Sequence, residues 1–158
     1  MKTFTVIAVC AAIGTTAIAA STDEDQPVAA PNTALLSFSR DGPLSFYDRV
    51  SDEICSGHAR GPSLPVAGGM FHSGPKSPIP TPAGERLFIK AHTKSAGRGG
   101  TERCFVLTSF IPEAGRTYRL GMENDGQSCA LAVVDSQTGQ SPATLIRHPW
   151  SRRCFPKL

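Results

Sequence analysis

Beyond residues 1–20 the chain lacks any apolar run approaching the ~20 residues that a membrane-spanning helix needs. Residues 1–20 themselves have a basic start at Lys2, an apolar stretch from Phe4 to Ile18 and small residues at the end. That arrangement is typical of a secretory signal peptide, so we expect cleavage after Ala19 or Ala20. The mature chain should then have no transmembrane segment and should be periplasmic or secreted.

Cys10 lies within this signal segment but lacks the small preceding residue that normally accompanies lipid attachment, because Val9 stands before it. Very little chain would precede a modified cysteine at this position. We therefore expect Cys10 to be removed with the signal and not to carry a lipid anchor.

The other cysteines lack the C-x-x-C spacing that favours redox chemistry or zinc binding. They are Cys55, Cys104, Cys129 and Cys154. An even number in an exported domain predicts two disulfides, for which several pairings are open.

The sequence also lacks the short motifs of common enzymes. There is no H-E-x-x-H, no G-x-S-x-G, and no Gly-Lys-Ser/Thr ending to the glycine-rich residues 97–101. A serine triad can be assembled only without its local motif, from Ser63 or Ser141 with His72 and Asp135. The histidines are His58, His72, His92 and His148. None has a cysteine at a metal-binding spacing, so we expect solvated histidines, no catalytic residue, no metal site and no cofactor.

Residues 103–139 are the most informative part of the chain, because they contain three strand-like runs. Thr117–Met122 has large apolar residues at every second position, as a half-buried strand requires. Cys104–Phe110 and Cys129–Asp135 are apolar on both faces, which is typical of central or fully covered strands.

Turn residues separate these runs. Pro112 and Gly115 predict a turn between the first two strands, and Asp125-Gly126 predicts another between the second and third. We therefore expect an antiparallel meander, followed by a turn at residues 136–139 that the Asp135 side chain supports.

A meander also favours one disulfide pairing. Cys104 and Cys129 would open strands two apart, and both would lie at the same end of the sheet. We predict the bridges Cys104–Cys129 and Cys55–Cys154.

The string F-x-P-E-A-G-x-x-Y at residues 110–118, followed by the Cys129-led strand ending in Asp135 and a Thr138-Gly139 turn, resembles a known pattern. It is similar to that of small, mostly uncharacterised bacterial envelope proteins and lipoproteins with β-sandwich folds. The resemblance implies a fold and a compartment, and it implies no catalytic residues.

The rest of the chain fits an all-β domain. Further strands are predicted at residues 34–39, 44–50, 86–92 and 143–147, with a flexible hairpin loop at 95–101. Proline and glycine interrupt residues 56–82 so often that regular structure should not persist there, except briefly around Val66–His72. We predict a signal peptide at 1–20, a flexible leader at 21–33 and, over 34–158, a single antiparallel β-sandwich of about six or seven strands with two disulfides.

Negative charge is missing from the last part of the chain, because no acidic side chain follows Asp135. Residues 21–55 hold seven acidic and two basic side chains, whereas residues 56–158 hold six acidic and 13 basic. The net charge of +3 is too small to indicate nucleic acid as a partner.

The terminal segment, residues 147–158, mixes cations with aromatic rings. Its candidate binding residues are Arg147, Trp150, Arg152, Arg153 and Phe155. The alternative is that Trp150 and Phe155 pack this segment down around Cys154.

These features predict an exported, non-enzymatic protein of the bacterial cell envelope. It would bind an envelope protein, an anionic glycan or a lipid headgroup, or support an envelope assembly. A second hypothesis is an immunity or inhibitor protein that blocks a toxin or envelope hydrolase with its 56–82 loop. A third is a small periplasmic hydrolase or metal-dependent enzyme using His58, His72 and Asp135.

Overall fold

The computed structural model describes residues 30–58, 63–67, 78–97, 100–124 and 128–155. The expected signal peptide, most of the leader and much of the 56–82 segment lie outside these residues. The strands are β1 Thr33–Phe38, β2 Leu44–Val50, β3 Val66–Ala67, β4 Ile79–Pro82, β5 Leu87–Gly97, β6 Gly100–Phe110, β7 Thr117–Asn124, β8 Cys129–Asp135 and β9 Ile146–His148.

Two sheets contain all of these strands. One is four-stranded in the order β4-β1-β7-β8, and the other is five-stranded in the order β3-β2-β5-β6-β9. The described residues contain no helix, which confirms the all-β prediction. The sheets are not wholly antiparallel, however, because β1 and β7 run parallel with Leu36 opposite Tyr118.

The two sheets share one apolar core in a sandwich-like arrangement. Alternate residues of the longer strands point into it, and Leu36, Ile89 and Leu120 are each almost completely buried. Phe110 of β6 meets Tyr118 of β7 edge to face at 5.1 Å between ring centroids, so this contact joins the sheets.

The predicted meander of residues 104–135 is wrong at its first step. β6 and β7 lie in different sheets, and only β7 and β8 pair as expected. The connecting turn carries the chain across the core, with Gly115 at a φ of 74°. The Tyr118 hydroxyl accepts a hydrogen bond from the Glu113 N–H at 3.0 Å and so braces this arch.

The strand count, the environment of one strand and two strand limits also differ from prediction. The short strand β3 lies where the sequence allows brief regular structure, around Val66–His72, whereas β4 lies in a part of the 56–82 segment for which no strand is predicted. β8 is an edge strand with one half-exposed face, because its buried residues alternate, and it is not covered on both sides. The β5–β6 hairpin was expected, but its strands continue through most of the predicted 95–101 loop. The last strand begins at Ile146 instead of Ala143.

Both predicted disulfides are present. Cys104–Cys129 joins β6 to β8 across the core, so its two ends lie in facing sheets and not in one sheet as the meander implied. Cys55–Cys154 ties the terminal segment to the turn after β2.

That turn is organised by Asp52, whose carboxylate accepts hydrogen bonds from the backbone N–H groups of Ile54 and Ser56. Hydrogen bonds from the Ser56 side chain and backbone lower the pKa of Asp52. The carboxylate therefore stays charged, and both of its oxygens remain acceptors. The turn holds Cys55 at a φ of 53°, a conformation that non-glycine residues seldom adopt. Asp52 therefore helps to present Cys55 to the terminal segment.

Candidate cationic pocket

The outer face of the five-stranded sheet carries the candidate site. Side chains alternate along β5, so Ile89, Ala91 and Thr93 are buried in the core while Lys90, His92 and Lys94 point outward. The hairpin register places Phe105 opposite His92 and Arg103 opposite Lys94 on β6. An open pocket of about 320 Å³ lies here and is lined by Lys90, His92, Lys94, Arg103, Phe105, Cys154 and Phe155. We call it the cationic pocket.

A row of stacked rings forms the floor beside this pocket. Phe46 of β2 stacks on His92 with 4.7 Å between centroids and planes within 7°, and His92 stacks on Phe105 at 5.7 Å. Because the ring faces are turned toward one another, their edges point away from the sheet. Ring edges carry partial positive charge, so the row is suited to negatively charged groups.

The cations around the rings are incompletely neutralised. Lys90 pairs with Asp48 at 3.3 Å. Lys94 and Arg103 are exposed, lie opposite each other on the same face, and form no ion pair with any carboxylate of the described residues. The Lys94 ammonium lies 5.3 Å from the Phe46 ring centroid, a cation–π contact that leaves its charge in place. Like charges directly opposite on adjacent strands are destabilising, so this pair costs stability unless an anion binds between them.

His92 is an uncharged member of the pocket at neutral pH. Burial lowers its pKa below the ordinary histidine value, Lys94, Lys90 and Arg103 lower it further, and Asp48 acts in the opposite direction. A bound anion would favour the protonated ring. The pocket therefore holds a hydrogen-bond donor, His92, whose protonation would respond to a bound anion. It lies next to the permanent cations Lys94 and Arg103.

One wall of the pocket is built by the terminal segment. Phe155 packs edge-on against Phe105 at 5.0 Å and is only 5% exposed. It belongs to a small cluster with Val50, Leu107 and Cys154 that covers the other half of this sheet face. The Cys55–Cys154 bridge holds the wall in place.

The predicted terminal binding residues differ in their exposure. Phe155 is buried and packs as the alternative interpretation expected, whereas Trp150 is 50% exposed and does not. Arg147, Arg152 and Arg153 are exposed. Of the five, only Phe155 lines the cationic pocket.

Two residues of the enzyme hypothesis, His58 and Asp135, lie among the described residues, and each makes contacts of its own. Asp135 accepts a hydrogen bond from the Gln137 N–H at 2.8 Å, which confirms its predicted turn role, and it pairs with Arg116 at 3.5 Å. His58 is exposed and bridges to Val50. His148 bonds to the Ser109 hydroxyl at 2.8 Å. His72 lies outside the described residues.

Metal chemistry finds no support in the described part of the chain. No three histidine, cysteine, aspartate or glutamate side chains there lie close enough together to hold a metal ion.

Sequence reasoning missed the residues of the cationic pocket. Lys90, His92 and Lys94 alternate along one strand, and Arg103 and Phe105 alternate along the next. A hairpin centred on Arg98-Gly99 would have placed the two sets opposite each other, so the signal was present in the register. The sequence analysis instead predicts a strand that ends at His92 and a loop at residues 95–101.

Comparison of the chain with protein-family models, curated proteins and solved structures found no match. The chemistry of the pocket therefore has to be inferred from the residues of this chain. Across the described residues, no helix is long and apolar enough to cross a bilayer.

Proposed function

We propose that this protein is an exported, non-enzymatic binding module of the bacterial envelope that holds an anionic glycan in the cationic pocket. Two disulfides suit the oxidising compartment that such a role requires. The proposed contacts come from Lys94 and Arg103, with His92 as a further hydrogen-bond donor.

The observation that carries the proposal is the unneutralised pair of Lys94 and Arg103. A carboxylate or sulfate between them would relieve their repulsion and form charge-assisted hydrogen bonds with both. Arg103 can also bind a carboxylate through two parallel N–H donors. The pair is thus better explained by binding than by stability.

A polymer of acidic sugars fits the shape of the site. The pocket is open and its volume of about 320 Å³ is near the lower end of small-molecule sites, so it would hold one sugar unit while the chain continues across the sheet. Phe105 and Phe155 line the same pocket and offer apolar contact to the sugar carbons beside the charged group.

The test replaces Lys94 and Arg103 together by glutamine and measures binding of polygalacturonate, a carboxylated polysaccharide, by calorimetry. We expect affinity to fall by roughly tenfold or more, because each charge-assisted hydrogen bond contributes about 1.5 kcal/mol or more. Since the two cations repel each other, the variant should be as stable to heat as the unmodified protein, or more stable.

The matched control is the double variant Arg119→Gln and Arg152→Gln, which removes two exposed cations elsewhere and gives the same net charge. It should retain most of the affinity. Equal losses in both variants would show that only net charge matters. Neutral dextran should not bind, and binding of dextran equal to that of polygalacturonate would overturn the anionic site.

A second candidate is a protein partner bound at the β9 edge. Ile146 and Trp150 are 45% and 50% exposed there, beside the exposed Arg147. Exposed aromatic and arginine side chains are enriched in protein interfaces. In this case Trp150→Ala would abolish capture of the partner, whereas the Lys94 and Arg103 variant would not.

A further inference from the structure

A second pocket opens where the margins of the two sheets meet, on a different part of the molecule. Arg49 of β2 lies between the sheets there and is only 6% exposed. The pocket has a volume of about 340 Å³, and its polar lining consists of Arg49, Ser51, His58, Thr81, Glu85 and Arg86. We call it the Arg49 pocket.

The guanidinium of Arg49 is incompletely satisfied. One terminal nitrogen donates to the Thr81 hydroxyl at 2.8 Å, and the other donates to the Pro80 carbonyl at 3.5 Å. Its Nε–H has no hydrogen-bond partner among the described residues. No carboxylate of the described residues forms an ion pair with this arginine.

A buried charge without a counterion is unusual, because removing the charge from water is costly. Burial accordingly lowers the pKa of Arg49. An arginine nevertheless stays charged in proteins, so the charge must be met by something other than proton loss.

The surroundings supply further donors. Arg86 lines the same pocket, and its guanidinium is positioned by bonds to the Ser109 hydroxyl and the Thr144 carbonyl, both at 3.1 Å. Glu85 is the single acidic residue among the described residues that line the pocket. It is exposed and forms no ion pair with either arginine in the described structure.

We infer that the Arg49 pocket binds a small oxyanion, such as a sulfate, phosphate or carboxylate group, which acts as the missing counterion of Arg49. The site is independent of the cationic pocket. The bound group would lie in the pocket that Arg49 and Arg86 both line, at the junction of the two sheets, so binding would also strengthen that junction.

The direct test follows the arginine Nε–H signals of the full mature protein by nuclear magnetic resonance. Sodium sulfate and sodium acetate are titrated separately at constant ionic strength against sodium chloride, and Arg49→Lys assigns the signal. We expect a saturable shift of the Arg49 signal with at least one of the two anions. Sulfate alone would indicate a tetrahedral ligand, and acetate alone a carboxylate. No saturable shift with either anion would overturn the inference.

Thermal stability provides a second readout. Sulfate stabilises proteins generally, so the informative quantity is the difference between Arg49→Met and the surface control Arg152→Met. We expect the control to keep the full sulfate-dependent rise in melting temperature and Arg49→Met to lose part of it. Equal rises in both would contradict the site.

Two variants keep the inference testable if Arg49→Met does not fold. Glu85→Gln removes a negative charge from the pocket and should lower the sulfate concentration needed for half-saturation. Unchanged or weaker binding in that variant would also count against the site. The variant with glutamine at positions 94 and 103 should bind sulfate at Arg49 normally, which separates this inference from the proposed glycan site.

Discussion

Replacing Cys55 and Cys154 together by alanine is expected to lower the free energy of unfolding by about 4.7 kcal/mol in the chain-entropy account of disulfides. The two residues are 99 positions apart, so the bridge restricts a large part of the unfolded chain. The loss should be at least this large, because Phe155 would no longer be held against Phe105. Guanidinium unfolding of the oxidised proteins measures the effect.

The Cys104–Cys129 bridge is the natural comparison. It spans 25 positions, so the same account gives about 3.5 kcal/mol for its entropic part. A loss of less than about 1 kcal/mol on removing Cys55–Cys154 would contradict the role we assign to the terminal segment.

Replacing Phe110 by alanine is expected to cost about 3–5 kcal/mol of unfolding free energy. Phe110 is completely buried, and its ring contacts Tyr118 of the facing sheet. The substitution therefore leaves a cavity in the core between the two sheets. Urea unfolding measures the loss.

Trp150→Ala is the matched control, because it truncates an aromatic side chain that is 50% exposed. It should change stability by less than about 1 kcal/mol. Equal losses at Phe110 and Trp150 would mean that the shared core does not lie between the sheets as described.

The strands were predictable because their residues alternate with a period of two. Thr117–Met122 falls within β7, and residues 44–50 form β2 as expected. Both disulfide pairings are confirmed, although the meander from which the Cys104–Cys129 pairing was inferred is wrong. Alternation shows which residues face the core, but it does not show which strand lies alongside.

The partner of β7 illustrates this limit. Its pattern is equally compatible with pairing to β6 or to β1, and the chain crosses to β1 because the turn at Gly115 and the Tyr118 bond to Glu113 arch over the core. Contacts between residues far apart in the sequence therefore decide which strand pairs with β7.

The candidate site was missed for a related reason. Lys94 and Arg103 each look like an ordinary solvated cation in the sequence, and only the hairpin register makes them a repelling pair. Arg49 gave no signal either, since a single arginine in a strand does not reveal that it points between two sheets. The terminal arginines were easier to notice because they lie close together in the sequence, but they do not line the cationic pocket.

The pKa of His92, measured by nuclear magnetic resonance with and without polygalacturonate, tests the central claim most directly. In the free protein, burial and the neighbouring cations lower this pKa. A bound carboxylate opposes the effect of Lys90, Lys94 and Arg103 and adds to that of Asp48, so the account predicts that the pKa of His92 rises in the complex. Linkage then requires tighter binding as the pH falls through the histidine range. Binding that leaves the pKa of His92 unchanged would place the glycan elsewhere and contradict the proposed site.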